Sequence, residues 1–563
     1  MDTERVESRI LGALPLLLHI CRAIGLAETI DEMVEWDPTR CRLSPGKRIE
    51  ALVLNILAGR TPLYRVAEFY EDTATGVLFG DGILPEHLTD DCLARALDKL
   101  AESQPRAVYS TVALRACIFE GMEREFGHFD TTSISLFGEY PDLRPEDIQL
   151  VRGYSKDGHP ELKQLVLSLL CNRQGIPIWA EPRDGNSHDT EANRDAIDDF
   201  CGAFSPERLR ETAWIADSKL VTGPNLARIA ELGLRFLSRL PESFTAAATA
   251  KAAALDGDRW EDLGQIAAAP RLESARYRAS EQSVEIEGRT YRAVVVQSDH
   301  LEARKRHTFA KRLASQRETL QKALQALSRQ RFRCEADAEA AAGALLQRAD
   351  RGPFPLQVDV SSVLRTLPLG HRGRRRKDEP VEQVEEFVVS GTIGEPDPAQ
   401  LEREQRLQGL FVLITNLEDR EAFSAKRLLE EYRDQGLVEQ RFAFIKDPKF
   451  VDGLYLHTPR RLEALAYVIV MACLVFSVFE RRVRLALAAA KQRILLPGKK
   501  WSARPTGKML LDLVRRITVC RTPSGPWRLC SPPNITRRAE EVVRLAGFNF
   551  EAIYTGVATS SSP

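Results

Sequence analysis

The chain has 563 residues, enough for three or four separately cored units, and its 44% hydrophobic and 28% charged content is ordinary for a soluble globular protein. Its 79 basic and 80 acidic side chains leave a net charge of −1, which argues neither for nor against nucleic acid, because only local clustering matters for phosphate contacts. The ten cysteines are scattered from Cys21 to Cys530 without a C-x-x-C pair, a spacing that suits a reducing interior and gives no zinc-site signature.

In chain order, MDTERVESRI is charged and lacks the apolar core of a signal peptide. Residues 1–122 read as an all-helical unit. LPLLLHICRAIGLAETIDEMV has helical apolar spacing, and Ser44-Pro45 supplies an N-cap followed by a first-turn proline. PLYRVAEFYED and LTDDCLARALDKLAES follow, the second opening on Thr89 and two aspartates. As a helix-turn-helix this pair would turn Arg95 and Lys99 toward DNA, making 1–122 a DNA-binding domain. The alternative is a small helical bundle in which those two side chains have no DNA role.

Residues 123–241 change to strand and helix. EFGHFD ends at Asp130 and TTSISLFG follows with strand alternation; KQLVLSLLCNRQGIPIWAEPRDG reads as two strands around Arg173-Gln174-Gly175. DTEANRDAIDDFCGAF is a helix, AWIAD a short buried strand ending at Asp217, NLARIAELG a helix and RFLSRLP a strand. The sum is a mixed α/β sheet. Residues 242–405 read as a β-rich insertion: two strands joined by Glu287-Gly288, a long charged helix with leucines at 313, 320 and 327, and two more strands. The leucine spacing suits a helical hairpin better than an intermolecular coiled coil. Between the last two strands, Arg372, Arg374, Arg375, Arg376 and Lys377 form a basic cluster, as a rule a solvated loop and in a DNA enzyme a phosphate contact. The α/β texture resumes over 406–490 with GLFVLITN, a polar-striped helix and the apolar run Ala464–Phe479. That run falls short of the roughly 20 residues of a membrane span and reads as a buried helix. Residues 491–563 form a less regular C-terminal region with a disordered tail. A cytoplasmic protein is expected, with no membrane partner.

The stretch Tyr432–Lys446 draws the acids together. As one helix it sets Tyr432, Gln435, Glu439 and Lys446 in a stripe roughly 60° wide, opposite Leu437, Val438, Phe444 and Ile445. Asp130 and Asp217 each follow a short apolar run. Acids at neighbouring strand ends with one more from a facing helix make an oxygen-ligand site suited to Mg²⁺, or Mn²⁺. Two such ions roughly 3.5–4 Å apart activate an attacking hydroxyl and stabilise the departing phosphate oxygen.

These residues resemble bacterial insertion-sequence transposases of the DDE type. The subgroup marks its third acid with Y-x2-R-x3-E-x6-K, and here Tyr432, Gln435, Glu439 and Lys446 keep every spacing with glutamine in place of arginine. FDTTS around Asp130, GYSKDGHPELKQ at 153–164, DGNSHD at 184–189 and ADSK around Asp217 resemble the family as well. His188 in the third of these reads as a loop hydrogen-bonder rather than a ligand. The resemblance implies an RNase H-like core interrupted by an insertion, with Asp130, Asp217 and Glu439 as ligands of two divalent ions and Tyr432 and Lys446 holding phosphates near the cut. It implies cleavage at terminal inverted repeats, strand transfer by the freed 3′-OH, double-stranded DNA as partner at both ends and target, a homodimer in the synaptic complex, and a place in the nucleoid. The glutamine removes a charge one helical turn before Glu439. A catalytically inactive or repurposed DNA-binding protein of the same fold is the alternative, and a stand-alone RNase H-like nuclease a third.

Overall fold

The computed structural model describes residues 6–555 apart from 60, 81, 123–124, 139, 141–143, 157, 204–210, 267–273, 351, 367–380, 382, 447–455, 457 and 523–524. Contacts divide the chain into two compact units: Met1–Arg239 with Thr415–Leu417 and Arg427–Pro563, and Leu240–Ile414 with Glu418–Lys426.

The first unit opens with helices α1 (Leu14–Ala23), α2 (Leu26–Met33), α3 (Pro45–Leu54), α4 (Asp90–Glu102) and α5 (Pro105–Phe119). The Ser44 hydroxyl accepts from the Lys47 N–H with Pro45 in the first turn, so the start read from Ser44-Pro45 is the start of α3. The first segment expected to form a helix-turn-helix gives the short helix Val66–Glu71, and a second short helix, Thr75–Phe79, and a 3-10 turn, Pro85–Leu88, separate it from α4. The core sheet follows: β1 (Phe126–Leu136), β2 (Lys163–Asn172), β3 (Pro177–Arg183), β4 (Ala213–Ala216) and β5 (Arg235–Arg239). Their spatial order is β3-β2-β1-β4-β5, antiparallel across β1–β3 and parallel across β1, β4 and β5. This is the mixed α/β sheet expected from the sequence.

After the insertion come α6 (Ala425–Arg433), α7 (Gly436–Ile445) and α8 (Pro459–Ala489). Helix α8 is long and apolar enough to cross a membrane, yet 94% of its most apolar window is buried. It packs on α1, α3, α4, α5, α7 and β3, which explains why its middle, Ala464–Phe479, is apolar on every side: that stretch has no solvent face to keep polar. The N-terminal strand Glu7–Ile10 pairs antiparallel with Thr518–Arg521, tying the chain's beginning to its C-terminal region.

In the second unit β6 (Glu261–Gln265), β7 (Arg276–Ile286), β8 (Arg289–Ser298) and β11 (Leu410–Thr415) lie in the order β11-β8-β7-β6, while β9 (Leu356–Thr366) and β10 (Gln383–Ile393) pair separately. Glu287 and Gly288 both have positive φ, 49° and 73°, the geometry a two-residue hairpin turn requires. The heptad-spaced leucines lie on the helix Asp299–Ser328. Leu320 and Leu327 bury against Glu335–Ala349 and the β9–β10 ribbon, so this spacing serves an internal hairpin. β11, read from the sequence as core, contributes Leu410–Ile414 to this unit.

Candidate functional site

β1 is buried along ten of its eleven residues, and the exception is Asp130. A strand covered on both faces tolerates a carboxylate only where the packing opens, so Asp130 marks an opening in the core. The sequence suggested a strand ending at Asp130; β1 instead runs through it, because Thr131, Thr132, Ser133 and Ser135 are buried as strand residues. Asp217 follows β4 directly. The parallel register pairs Phe126 with Ala213 and His128 with Ile215 and ends there, two residues short of Asp130 on one strand and of Asp217 on the other. Both acids therefore lie just beyond the paired stretch of two adjacent strands, which stand about 4.8 Å apart. Each is oriented locally: the Asp130 carboxylate accepts from the Thr131 N–H at 2.8 Å and that of Asp217 from the Lys219 N–H at 3.0 Å.

Alternation puts Ile134 and Leu136 on the same face of β1 as Asp130, and these two share a core cluster with Val438, Phe442 and Ile445 of α7. Helix α7 therefore covers β1 and β2 on the acids' face. Glu439 sits in its first turn and is exposed, where its charge also favours the helix dipole. Lys446 is the C-cap of α7 and half-buried. The single stripe expected from Tyr432 to Lys446 is broken. The chain turns at Asp434-Gln435, with the Gln435 N–H bonded to Tyr432 O at 3.4 Å and the Leu437 N–H to Asp434 O at 2.8 Å. Gly436 follows as a weak helix former, so Tyr432 and Glu439 belong to separate helices and Gln435 is the N-cap of α7. Among the described residues, no three His, Cys, Asp or Glu side chains stand close enough to hold a metal ion. The Asp130–Asp217 pair nevertheless fits a hard divalent cation as oxygen donors.

Tyr432 belongs to the same neighbourhood. Burial pushes its phenol up to about 12, with Arg239 opposing the shift and the Asp217 charge adding to it. Two buried groups flank the site. His128, two residues before Asp130, is fully buried with neither ring nitrogen bonded among the described residues, and burial, aided by Arg173, pushes it down to about 4. Glu431 is fully buried; Arg173 Nε lies 2.8 Å from it but off-line for a hydrogen bond, and burial outweighs that attraction, raising the carboxyl to about 7. Arg441 fixes α7: it donates to Gly175 O at 2.7 Å and to Glu480 of α8 at 2.8 Å.

Beside the acids lies a cleft of about 270 Å³ whose walls include Thr132, Tyr154, Lys156, His188 and Lys219. It joins all four segments singled out around FDTTS, GYSKDGHPELKQ, DGNSHD and ADSK. Gly153 and Gly185 make the joint possible: a Cβ on Gly153 would stand 2.1 Å from Gly185 O. The Gln164 amide bonds Gly185 O at 2.6 Å across the same joint. Lys156 Nζ reaches Thr131 O at 2.7 Å, one residue from Asp130. Reading the acids alone missed Lys156, Lys219, Tyr154 and Arg441; the motif strings carried the first three, and nothing carried Arg441.

The other candidates lie apart. Arg95 and Lys99 line a separate cleft in the N-terminal helical segment. Arg372, Arg374, Arg375, Arg376 and Lys377 fall outside the described residues, as do residues 556–563 of the expected tail.

Residues 123–475 match the family described as Transposase DDE domain, and residues 6–114 match a domain of unknown function, DUF4277. Among curated proteins no relative matches. Among solved structures, a cryo-EM structure of piggyBac transposase in a synaptic complex with hairpin DNA matches over 93% of this chain and 81% of that one, at 9% identity and a TM-score of 0.37.

Proposed function

The chain belongs to the DDE transposase family, and from that premise we propose that it cuts DNA at the terminal inverted repeats of an insertion sequence and joins the freed ends to a target. The observation that carries the reading is Asp130, the one position of β1 that is not fully buried, on the strand that pairs in parallel with β4, which Asp217 follows directly. Asp130, Asp217 and Glu439 would hold two Mg²⁺ or Mn²⁺ ions, which supply Lewis acidity and an activated water. Glu439 joins the two aspartates only if the first turn of α7 closes on β1, so bound ions and DNA are what complete the site.

The chain's own side chains do the rest. Tyr432, kept protonated by its burial, donates its O–H beside Asp217 to a phosphate oxygen. Lys446 and the cleft lysines 156 and 219 attract the backbone on either side of the scissile bond. Gln435 contributes a neutral amide where the family's subgroup carries arginine, which weakens one phosphate contact. Hydrolysis frees a 3′-OH at the element's end, and that hydroxyl attacks target DNA. Two ends joined in one complex call for a homodimer, and the substrate calls for the nucleoid.

The test is incubation of the full chain with Mg²⁺ and duplexes carrying the repeats that flank its gene. Cleavage by the parent and none by Asp130→Ala is expected; equal cleavage by both defeats the reading. A second reading, a DNA-binding protein without chemistry, is favoured by Gln435 and by the want of a three-acid cluster among the described residues. It predicts binding to the same duplexes without cleavage.

A further inference from the structure

Between Lys491 and Lys508 the C-terminal region carries six cations and no carboxylate. None of the six forms an ion pair among the described residues, although Arg–carboxylate pairs are common elsewhere in the chain. Within this stretch Ile494–Leu496 and Lys500–Ser502 pair antiparallel as a hairpin. Ile494 and Leu496 are buried in the core, whereas Trp501 is 61% exposed. An exposed tryptophan among unpaired cations is the makeup of a nucleic-acid contact rather than of a merely solvated loop.

Arg504 follows the hairpin, and packing ties it to the helix that carries Glu439. Its N–H donates to Ser502 Oγ at 3.1 Å, and the carbonyl of the next residue, Pro505 O, accepts from Arg484 Nε of α8 at 2.9 Å. The Gly507 N–H donates to Glu480 of α8 at 2.8 Å, and a Cβ on Gly507 would stand 2.5 Å from Phe476 Cζ. Phe476 stacks on Phe444 of α7 with ring centroids 4.8 Å apart, and Glu480 also holds Arg441 of α7. Phe476, Glu480 and Arg484 recur at four-residue spacing on one face of α8, so a single stripe clamps both α7 and the backbone beside Arg504.

This arrangement brings a cation to the start of α7. Burial raises the carboxyl of Asp434, the residue before Gln435, and Arg173 and then Arg504 oppose the rise. Arg173 stands 2.8 Å from the fully buried Glu431, so its charge is committed. Arg504 is exposed and forms no ion pair among the described residues. We propose that Arg504, delivered by the C-terminal hairpin, makes the charged contact to a DNA phosphate that Gln435 leaves out of α7. The proposal rests on the DNA reading above and adds a side chain that belongs to neither the four-residue signature nor the acids.

The full chain is titrated in EDTA, where cleavage plays no part, with a duplex of its terminal repeat at several salt concentrations. Arg504→Ala should melt with the parent, because the side chain is exposed. It should bind about tenfold more weakly at moderate salt, with the slope of log K against log salt shallower by about 0.9. Arg504→Lys should keep the slope. Adding Gln435→Arg to Arg504→Ala should restore both affinity and slope, and adding Asp434→Asn should restore neither. Recovery with Asp434→Asn would show that Arg504 only offsets that carboxylate and would overturn the proposal. An unchanged slope in Arg504→Ala, or no recovery with Gln435→Arg, would overturn it too. A parent that binds no duplex defeats the DNA reading itself, whereas a variant that binds like the parent defeats only the assignment of Arg504.

Discussion

Replacing Arg441 with methionine should cost the first unit about 3–5 kcal/mol, the usual cost of removing one partner from a buried ion pair. Arg441 and Glu480 are 4% and 5% exposed, with their charged atoms 2.8 Å apart. At an effective dielectric of about 20 the attraction at that separation is about 6 kcal/mol, and desolvation offsets part of it. The variant leaves Glu480 with two donors, Arg484 at 2.9 Å and the Gly507 N–H at 2.8 Å, so the lower half of the range is expected. It also strands Gly175 O, which Arg441 satisfies. Denaturant unfolding followed by tryptophan fluorescence reads the effect, since Trp179 and Trp214 are buried beside Phe129 in this unit. A cycle with Glu480→Gln should show the two losses falling short of additive by at least about 1 kcal/mol. Strict additivity, or a loss under about 1 kcal/mol, would refute the claim that this pair fixes α7.

Two further perturbations are independent of that pair. Tyr432→Phe should lower kcat/KM for terminal-repeat cleavage about 10–100-fold, the equivalent of one hydrogen bond to a charged group, while leaving the melting temperature unchanged; unaltered kinetics would remove Tyr432 from the site. Glu50, 3% exposed, has its carboxyl pushed up by burial from 4.5 to about 8. A folded value above the unfolded one means that charging Glu50 destabilises the fold progressively as pH rises from 4.5 to about 8. Glu50→Gln should therefore gain stability over the parent between those limits, by at most about 5 kcal/mol above them, and gain little at pH 4. A difference that does not change with pH would show that the parent carboxyl is ordinary.

The strands were legible because each interior strand is a compact apolar run closed by a turn residue, as at Arg173-Gln174-Gly175, where Gly175 takes φ +71°. Asp130 was legible as an acid but not as a mid-strand residue, since Thr131 to Ser133 look like turn formers until both faces are seen to be covered. The break at Asp434-Gln435-Gly436 was hidden because the apolar period continues across it. Arg441 reads as one more polar residue in a charged stretch; only packing brings Glu480, thirty-nine positions downstream, to meet it. The cleft beside the acids was spelled out as four strings whose meeting depends on two glycines far apart in the chain.

The most direct test of the acid site is a ligand exchange. Asp130→Cys and Asp217→Cys should abolish terminal-repeat cleavage in Mg²⁺ and recover part of it in Mn²⁺, which tolerates a thiolate better. Tyr432→Cys should show no such preference. Recovery confined to the two aspartate positions is the predicted result; cleavage by either cysteine variant in Mg²⁺ at the parent rate would contradict the account.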